Sequence, residues 1–410
     1  MLIPAEANEY APRIRAELFT LFPQRHSMHT HINKMQCVVP PHMLKRIAEN
    51  GTPAQQEWAK RTLESSEKFR GQRQTFTEHA TLARAAQSDR LERIVYDAKN
   101  GKSLPGQKAR SEGAPPTGDA AVDEAYDGAG ATYQLFKEVY ERNSIDGNGL
   151  RLDSTVHYDK GYDNAFWNGE QMVYGDGDED LPIAERLFNR FTIALDIIGH
   201  ELAHGVTQHE ARLVYWDQSG ALNESFSDVF GALVKQRQLN QTAGQADWLI
   251  GQGLLTANVN GAALRSMKAP GTAYDDPILG KDPQPGHMSA YQNVDYDNGG
   301  VHINSGIPNH AFHVVAREIG GYAWEKAGRI WYLTLRDKLS TRSNFQEAAN
   351  LTHQVAGELF GANSLEQQAV RKGWAEVGIT IATGGGGDTG GGNKGCLLMP
   401  VGALAALLRR

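Results

Sequence analysis

A catalytic metal site is indicated by two histidines and a glutamate in one short segment. His200 and His204 lie four residues apart in HELAH, so on a helix both imidazoles share one face and can bind the same ion. Glu201 lies beside them, where a carboxylate can accept a proton from water. Chance matches to this pattern occur on the order of a few per cent of the time in a chain of this size, so a further ligand is required.

A third ligand is available in the next predicted helix. Glu224 lies 20 residues after His204, and a turn between the two helices can return its carboxylate to the histidines. Three protein ligands leave one coordination position open, which is typical of a catalytic rather than a structural site. Asp228 follows one turn later and can accept the N–H of His200, and we group Asn223 with it as a residue that supports the ligands.

Two other interpretations of these residues stay open. Paired histidines or a lone glutamate on an amphipathic helix are more often surface residues than ligands, although the apolar Ile193, Leu195, Ile197 and Ile198 favour burial of this segment. The third ligand could instead be a histidine, and His209 is then the nearest candidate.

The elements that must position these residues predict an α+β fold. Between 94 and 180, short apolar runs alternate with Asp, Asn and Gly, which is typical of strands and turns, with one helix at 122–142. The second half is predicted to be mainly helical, with segments at 183–208, 221–238, 308–320, 322–339, 344–360 and 364–377.

Changes in composition divide the chain into five parts. Residues 1–36 are predicted to be a disordered extension, and 37–92 a module of two helices followed by an exposed linker that a protease could cut. The main body comprises a β-rich lobe at 93–208, which includes the HELAH helix, and a helical lobe at 209–380. Residues 381–410 form a Gly-rich linker and a short apolar tail.

Composition excludes several classes of protein. The chain has 410 residues, a net charge of −7 and a pI of about 6.1, so a nucleic-acid partner is not expected. No apolar run near Met1 is long enough for an export signal. The apolar run at 397–408 is shorter than the ~20 residues that a membrane-spanning helix needs.

Four motifs in one order resemble the thermolysin-like zinc metallopeptidases, and more closely their protealysin-like branch. They are GHELAHGVT at 199–207, YDNAFWNG at 162–169, GDGD at 175–178 and DNGGVHINSG at 297–306. The resemblance covers about 94–377 and implies a two-lobed fold, with the zinc-binding helix between the lobes and a small helical propeptide in front. It also implies a neutral endopeptidase with one catalytic Zn²⁺ that acts on proteins and peptides. We expect a monomer.

The resemblance further implies roles for residues that spacing alone does not assign. His302 resembles the histidine that stabilises the oxyanion, Asp297 the carboxylate that orients it, and Tyr215 a second donor to that oxygen. Asn164 and the Ala165 backbone match the edge that binds an extended peptide. Arg265 matches an arginine that binds a substrate carbonyl. Four further residues match a pocket for a bulky apolar side chain after the cleaved bond: Phe188, Phe191, Ile197 and Leu264.

The sequence departs from the family at its paired calcium site. Asp196 and Asp247 match expected carboxylates, but Lys235, Leu249 and Gln252 stand where other acidic ligands are expected. An ammonium group cannot bind calcium. We therefore expect the double calcium site to be absent.

The two ends of the chain bear on latency and location. The segment CVVPPHML at 37–44 resembles a protealysin-type propeptide motif, which implies a zymogen whose own propeptide covers the cleft. Cys37 could bind zinc in the precursor or could be a buried structural cysteine. The C-terminal tail resembles a bacterial sorting signal, which favours a secreted or envelope protein, whereas the missing export signal favours a leaderless, cytoplasmic one. A zinc-containing binding protein without turnover is a further alternative, against which Glu201, Tyr215 and His302 argue.

Overall fold

The computed structural model describes residues 36–76 and 89–381. The predicted disorder of 1–35, the linker at 77–88 and the tail from 382 lie outside the described residues. Gln36, which the sequence assigns to the disordered extension, instead forms a strand with Cys37. None of the described helices is both long and apolar enough to cross a membrane.

The first part of the described chain is a strand followed by two helices. They are β1 (Gln36–Cys37), α1 (Pro41–Asn50) and α2 (Pro53–Phe76). Pro41 opens α1 because the first helical residue needs no backbone N–H partner. The buried face of α1 is formed by Met43, Leu44 and Ile47. The predicted module of two helices is therefore observed.

The β-rich part contains five more strands and one helix. These are β2 (Arg93–Asp97), β3 (Gln107–Ser111), α3 (Ala120–Gln134, continued as a π-helical turn over Leu135–Val139), β4 (Leu152–Val156), β5 (Ala165–Trp167) and β6 (Met172–Tyr174). With β1 they form one mixed sheet of order β1-β5-β6-β4-β2-β3. The edge strand β1 therefore comes from the segment that precedes the linker and pairs antiparallel with β5.

The remaining chain is mainly helical, as the sequence predicts. Its helices are α4 (Leu195–His209), α5 (Asp217–Gln238), α6 (Asp297–Asn304), α7 (Gly306–Ile319), α8 (Ala327–Asp337), α9 (Phe345–Phe360) and α10 (Leu365–Glu376). Four two-residue strands form two small antiparallel pairs, β7 (Leu249–Ile250) with β8 (Arg265–Ser266) and β9 (Asp275–Asp276) with β10 (Gly280–Lys281).

The predicted helix at 183–208 is wrong in its first half. Only two single 3₁₀ turns, Ile183–Glu185 and Phe191–Ile193, precede α4. The backbone N–H groups of Leu187 and Phe188 donate to the Asp178 carboxylate instead of to helical carbonyls. Ile193 is also exposed, at 39%, because it lies in the second turn rather than on a buried helical face.

A close approach between α4 and α5 brings the candidate ligands together. Gly231 of α5 lies so near α4 that a Cβ atom there would lie 2.3 Å from the carbonyl oxygen of Asp196. A residue larger than glycine would push the helices apart. The two helices therefore form a single rigid support for side chains from both.

The helix α2 packs on the β-rich part through an aromatic contact. Gly161 has a φ of +62°, and a Cβ atom there would lie 2.2 Å from the Trp58 ring. Near this contact, the backbone N–H of Asp163 donates to the Thr62 hydroxyl at 3.4 Å, and Gln55 donates to the carbonyl of Glu185. The first helices are therefore fitted to the surface beneath them.

Candidate metal and catalytic site

The three predicted ligands converge in the buried space between α4 and α5. The Nε2 atoms of His200 and His204 lie 3.0 Å apart, and each lies 3.5 Å from an oxygen of Glu224. All three side chains are at most 1% exposed. Among the described residues, these are the His, Cys, Asp or Glu side chains that cluster closely enough to hold one metal ion.

Hydrogen bonds to the far side of each imidazole make this cluster electron-rich. The Nδ1 atom of His200 lies 2.8 Å from Asp228 Oδ1, and Nδ1 of His204 lies 2.9 Å from Asn223 Oδ1. Carboxylate and amide oxygens accept, so each Nδ1 carries the proton and each Nε2 presents a lone pair. Two lone pairs and a buried carboxylate oxygen then face one another. A cation satisfies this arrangement, and two imidazoles with one carboxylate suit zinc.

The Glu201 carboxylate is oriented by the sheet. It is fully buried, and its Oε2 accepts the backbone N–H of Trp167 at 3.0 Å. Because Trp167 lies on β5, the strand that pairs with β1, the carboxylate lies between the α4 helix and the strand that would bind a peptide. This contact could not be inferred from side-chain types, since the donor is a backbone group.

His302, Asp297 and Tyr215 form a second buried group beside the ligands. His302 Nδ1 lies 2.6 Å from Asp297 Oδ1, and its Nε2 lies 3.2 Å from the Tyr215 hydroxyl, which also donates to Glu224. Burial alone would lower the pKa of His302, but the carboxylates of Asp297 and Glu224 raise it to about 9. The imidazole is therefore held as a cation that can donate from Nε2.

The loop before His302 turns sharply to place it. Asn298, Gly299 and Gly300 have φ values of 52°, 83° and 77° at the start of α6. The Asp297 carboxylate also accepts the backbone N–H of His302 at 3.0 Å, which closes the turn. Backbone and side chain of His302 are thus both fixed by the same aspartate.

Arg265 is buried against Asp228 rather than exposed in the cleft. Its guanidinium donates to both Asp228 oxygens, at 2.9 and 2.7 Å, and Asn309 donates to the same carboxylate at 2.8 Å. Burial opposes ionisation of Asp228, yet Arg265 and His200 hold its pKa well below its usual range. Neither the ion pair of Arg265 with Asp228 nor the contact of Asn309 could be predicted from spacing, because these residues are far apart in the chain.

A short segment before α1, which continues from β1 to Val39, occupies the cleft. Val38 N–H donates to the Ala165 carbonyl at 3.3 Å, and Val39 N–H donates to Asn164 Oδ1 at 2.9 Å. The Val38 carbonyl accepts from Arg265 at 3.0 Å. These are the groups that the resemblance assigned to substrate binding, and here they bind the chain itself.

The same segment places one peptide bond beside His302. The Cys37 carbonyl oxygen lies 2.9 Å from His302 Nε2, so the peptide bond between Cys37 and Val38 lies next to this imidazole. Val38 is fully buried, and the four predicted pocket residues, Phe188, Phe191, Ile197 and Leu264, are likewise buried in the main hydrophobic core.

The Cys37 thiol lies among aromatic rings rather than with the metal ligands. Its sulfur is 3.8 Å from the Ser66 hydroxyl, and its side chain packs with Tyr158, Tyr162 and Phe166. It is absent from the group of described residues that could share an ion. The geometry thus favours the buried structural cysteine over the zinc ligand.

The expected calcium region contains an ammonium group instead. Lys235 Nζ lies 2.8 Å from Asp196 Oδ2, 3.1 Å from Asp247 Oδ1 and 2.8 Å from the Leu249 carbonyl. Burial lowers the pKa of Lys235, but the two carboxylates outweigh it and raise the pKa overall. A charged lysine therefore occupies the space between the acidic groups.

Ser227 is a further residue beside the ligands that was not predicted from the sequence. Its hydroxyl lies 2.9 Å from His204 Nδ1, next to the contact with Asn223. Ser227 lies three residues after Glu224, on the same face of α5, so helical spacing was a usable signal. His209, the alternative third ligand, lies in the last turn of α4 and is not part of the group of described residues that could hold a metal ion.

Comparisons with known proteins match both parts of the chain. The family model for the thermolysin metallopeptidase catalytic domain matches residues 60–208, and that for its alpha-helical domain matches 211–379. An extracellular metalloprotease of Pectobacterium carotovorum subsp. carotovorum is 50% identical over 345 residues, covering 84% of this chain and 96% of that protein. A thermolysin of Alicyclobacillus acidocaldarius is 39% identical over 296 residues, 70% of this chain and 50% of that one.

A solved structure extends the similarity to the first helices. The precursor of protealysin, a metalloproteinase from Serratia proteamaculans, has a TM-score of 0.75 and 51% sequence identity to this chain. The match covers 84% of this chain and 100% of the solved one.

Proposed function

The chain belongs to the thermolysin metallopeptidase family, and from that premise we propose which residues carry out hydrolysis and how the precursor is kept inactive. The family and branch predicted from the four motifs, the two-lobed α+β fold and the helical propeptide are confirmed. The protein is a zinc metalloendopeptidase made as a zymogen. The domain boundaries given above stay a prediction.

The proposed ligands of zinc are His200, His204 and Glu224, oriented by Asp228 and Asn223. A zinc ion bound there would polarise the substrate carbonyl and lower the pKa of water. Glu201 accepts the proton of the attacking water on its carboxylate and transfers it to the nitrogen of the leaving amine. The Trp167 N–H keeps the carboxylate in place during both transfers.

Charge that develops on the substrate carbonyl oxygen is stabilised by two donors of this chain. His302 donates from Nε2, and Tyr215 donates from its hydroxyl. Asp297 keeps the imidazole protonated and correctly turned, which is supported by the 2.6 Å contact to Nδ1. The contact of His302 with the Cys37 carbonyl supports this role, since a substrate carbonyl would occupy the same position.

Substrate peptides bind as an added strand along β5. Asn164 and the Ala165 carbonyl bind the backbone after the cleaved bond, and Arg265 binds its first carbonyl. We infer a preference for a bulky apolar side chain directly after the cleaved bond. The support is that Val38, which directly follows the carbonyl bound near His302, has a fully buried apolar side chain.

Latency follows from the propeptide lying in the cleft. The segment from Cys37 to Val39 uses the groups that a substrate needs, so the propeptide acts as an inhibitor within the same chain. Lys235 replaces a calcium ligand, so we infer one zinc and no double calcium site. We further infer a monomer with no nucleic-acid partner. The extracellular relative supports a secreted or envelope protein over the cytoplasmic alternative.

One observation carries the proposal: His302 Nε2, which lies 3.6 Å from the Glu224 carboxylate, also lies 2.9 Å from the Cys37 carbonyl oxygen of the bound propeptide. The test is Glu201→Gln in the zinc-loaded protein, with the propeptide of variant and wild type removed by the same added protease. We expect about one zinc per chain to be retained and casein cleavage to fall by about 10²–10⁴-fold, because the amide cannot accept the proton. The matched control is Glu376→Gln, which removes an exposed carboxylate elsewhere and should cleave casein normally. Full activity of Glu201→Gln would refute the base assignment.

A further inference from the structure

A surface pocket of about 540 Å³ lies beside the loop that holds His302. Its wall includes two aromatic residues, Trp216 and Tyr296, which are 38% and 42% exposed. Among the large apolar side chains that are exposed in the described residues, these are the two aromatic ones. Their occurrence in one pocket indicates a binding surface rather than scattered exposure.

The pocket combines aromatic faces with negative charge. Asp217 and Asp295 contribute carboxylates to the lining, which contains no lysine or arginine. The Asp217 carboxylate is held by the Tyr291 hydroxyl, which donates to it. Aromatic faces and carboxylates together attract a cation, through the ring quadrupole and through ordinary ion pairing.

Both aromatic walls are adjacent in sequence to residues of the catalytic group. Trp216 directly follows Tyr215, whose hydroxyl lies 3.2 Å from His302 Nε2. Tyr296 directly precedes Asp297, which contacts His302 Nδ1. The pocket therefore adjoins the two segments that hold His302.

In the precursor, a cation of the propeptide already approaches this surface. The ammonium of Lys45, on α1, lies over the Tyr296 ring at 5.9 Å from its centroid. This distance is within the range of a cation–π contact. Because α1 is part of the propeptide, its removal takes Lys45 away and leaves the pocket open to a substrate.

We propose that the pocket formed by Trp216, Asp217, Asp295 and Tyr296 is a substrate subsite for a basic side chain, lysine or arginine. The inference rests on the proposed function, since it adds a specificity determinant to the same active site. It differs from the apolar pocket around Val38 in both position and chemistry. The enzyme would then select peptides by two features, one apolar and one basic.

The test compares matched peptides with the zinc-loaded full chain after processing to its active form. Each peptide keeps an apolar residue after the cleaved bond and carries either lysine or norleucine at one flanking position, moved through the positions in turn. At the position that reaches the pocket, we expect kcat/KM to be about five- to tenfold higher for lysine. Raising the ionic strength should reduce this ratio.

Two substitutions connect the preference to the pocket. Asp295→Asn and Tyr296→Leu should each reduce the lysine-to-norleucine ratio to about one to two, because each removes one attraction for the cation. Asp275→Asn, an exposed aspartate outside the pocket, is the control and should keep the ratio. Equal cleavage of both peptides at every position, or a ratio unaffected by both pocket variants, overturns the subsite. Failure to cleave any peptide instead contradicts the proposed function.

Discussion

The helices α4 and α5 support two charged clusters that resolve the same physical problem differently. In the zinc cluster, His200, His204 and Glu224 direct lone pairs at a common centre. In the lysine cluster, Asp196 and Asp247 instead surround the ammonium of Lys235. In our proposal the first cluster takes its cation from solution, whereas the second has it built into the chain.

Acidic residues alone therefore do not define a metal site. Each cluster contains a buried carboxylate on this helix pair, Glu224 or Asp196, and each carboxylate needs positive charge to stabilise it. The residue that faces the carboxylates decides the outcome. A histidine with its proton fixed on Nδ1 presents a lone pair to a metal, whereas a lysine presents a charge that replaces it.

The largest expected effect comes from breaking the zinc cluster. Glu224→Ala removes the anionic ligand, so zinc content should fall from about one per chain to near zero, and turnover by on the order of 10⁴-fold. His209→Ala is the control, measured by the same metal analysis, and should retain zinc. Loss of zinc in His209→Ala with retention in Glu224→Ala would exchange the two assignments.

Breaking the lysine cluster should cost stability rather than metal. Lys235→Met leaves Asp196 buried without its cation, so the free energy of unfolding should fall by about 3–5 kcal/mol in urea titrations. Lys338→Met removes a partly exposed pair with Glu358 and should cost less than about 1 kcal/mol. Similar values for the two variants would mean that the lysine cluster contributes no more than a surface pair.

The support behind the zinc ligands should matter less than the ligands themselves. Asp228→Asn keeps the shape but weakens the hold on His200 Nδ1, so zinc affinity should fall about 10–100-fold in chelator competition. Asn309→Ser removes a different hydrogen bond to Asp228 and leaves the His200 contact in place. An equal loss of affinity in both variants would show that overall packing, not the His200 contact, is responsible.

The smallest expected effect, per pH unit, is a pH dependence of stability that comes from a propeptide histidine and not from Lys235. Burial lowers the pKa of His42, in the propeptide above the zinc cluster, to about 4, with Asp297 partly opposing this and His302 and Arg265 adding to it. The unfolded chain takes up this proton near pH 6.5, so the folded precursor loses stability as pH falls from 6.5 to 4. Lys235, whose pKa is raised, stays charged throughout this range.

The measurement is the free energy of unfolding of the full chain between pH 4 and 7. Wild type should lose about 1 kcal/mol more per pH unit than His42→Gln below pH 6.5, since the glutamine does not titrate. Lys235→Met should keep the wild-type slope although its stability is lower. A slope unchanged by His42→Gln would remove the histidine as the cause.

The sequence predicted the zinc cluster well because helical spacing fixes which side chains share a face. His200, His204 and Glu224 required only two helices and a turn, and Asp228 only one further turn. The start of α4 was harder to predict, because the backbone N–H groups of Leu187 and Phe188 donate to the Asp178 side chain instead of to helical carbonyls. Periodicity of apolar residues does not reveal such competition.

Contacts between distant segments were the hardest to predict. The ion pair of Arg265 with Asp228 and the Trp167 N–H that binds Glu201 depend on tertiary placement. The resemblance named Arg265 and Asn164 as substrate groups, but only the structure gives the register of the propeptide, with Cys37 at His302. Local rules thus predicted which side chains converge, and the fold supplied their surroundings.

The contact between the Trp58 indole and Gly161 affects how firmly the propeptide is held, but it involves none of the groups proposed to carry out hydrolysis. Gly161 is distant in sequence from the HELAH segment, yet a methyl group there would collide with the propeptide ring. Variation at this contact can therefore loosen or tighten the cover without altering any group that performs chemistry. Activation threshold and intrinsic turnover are in this way open to independent tuning, by selection or by an engineer.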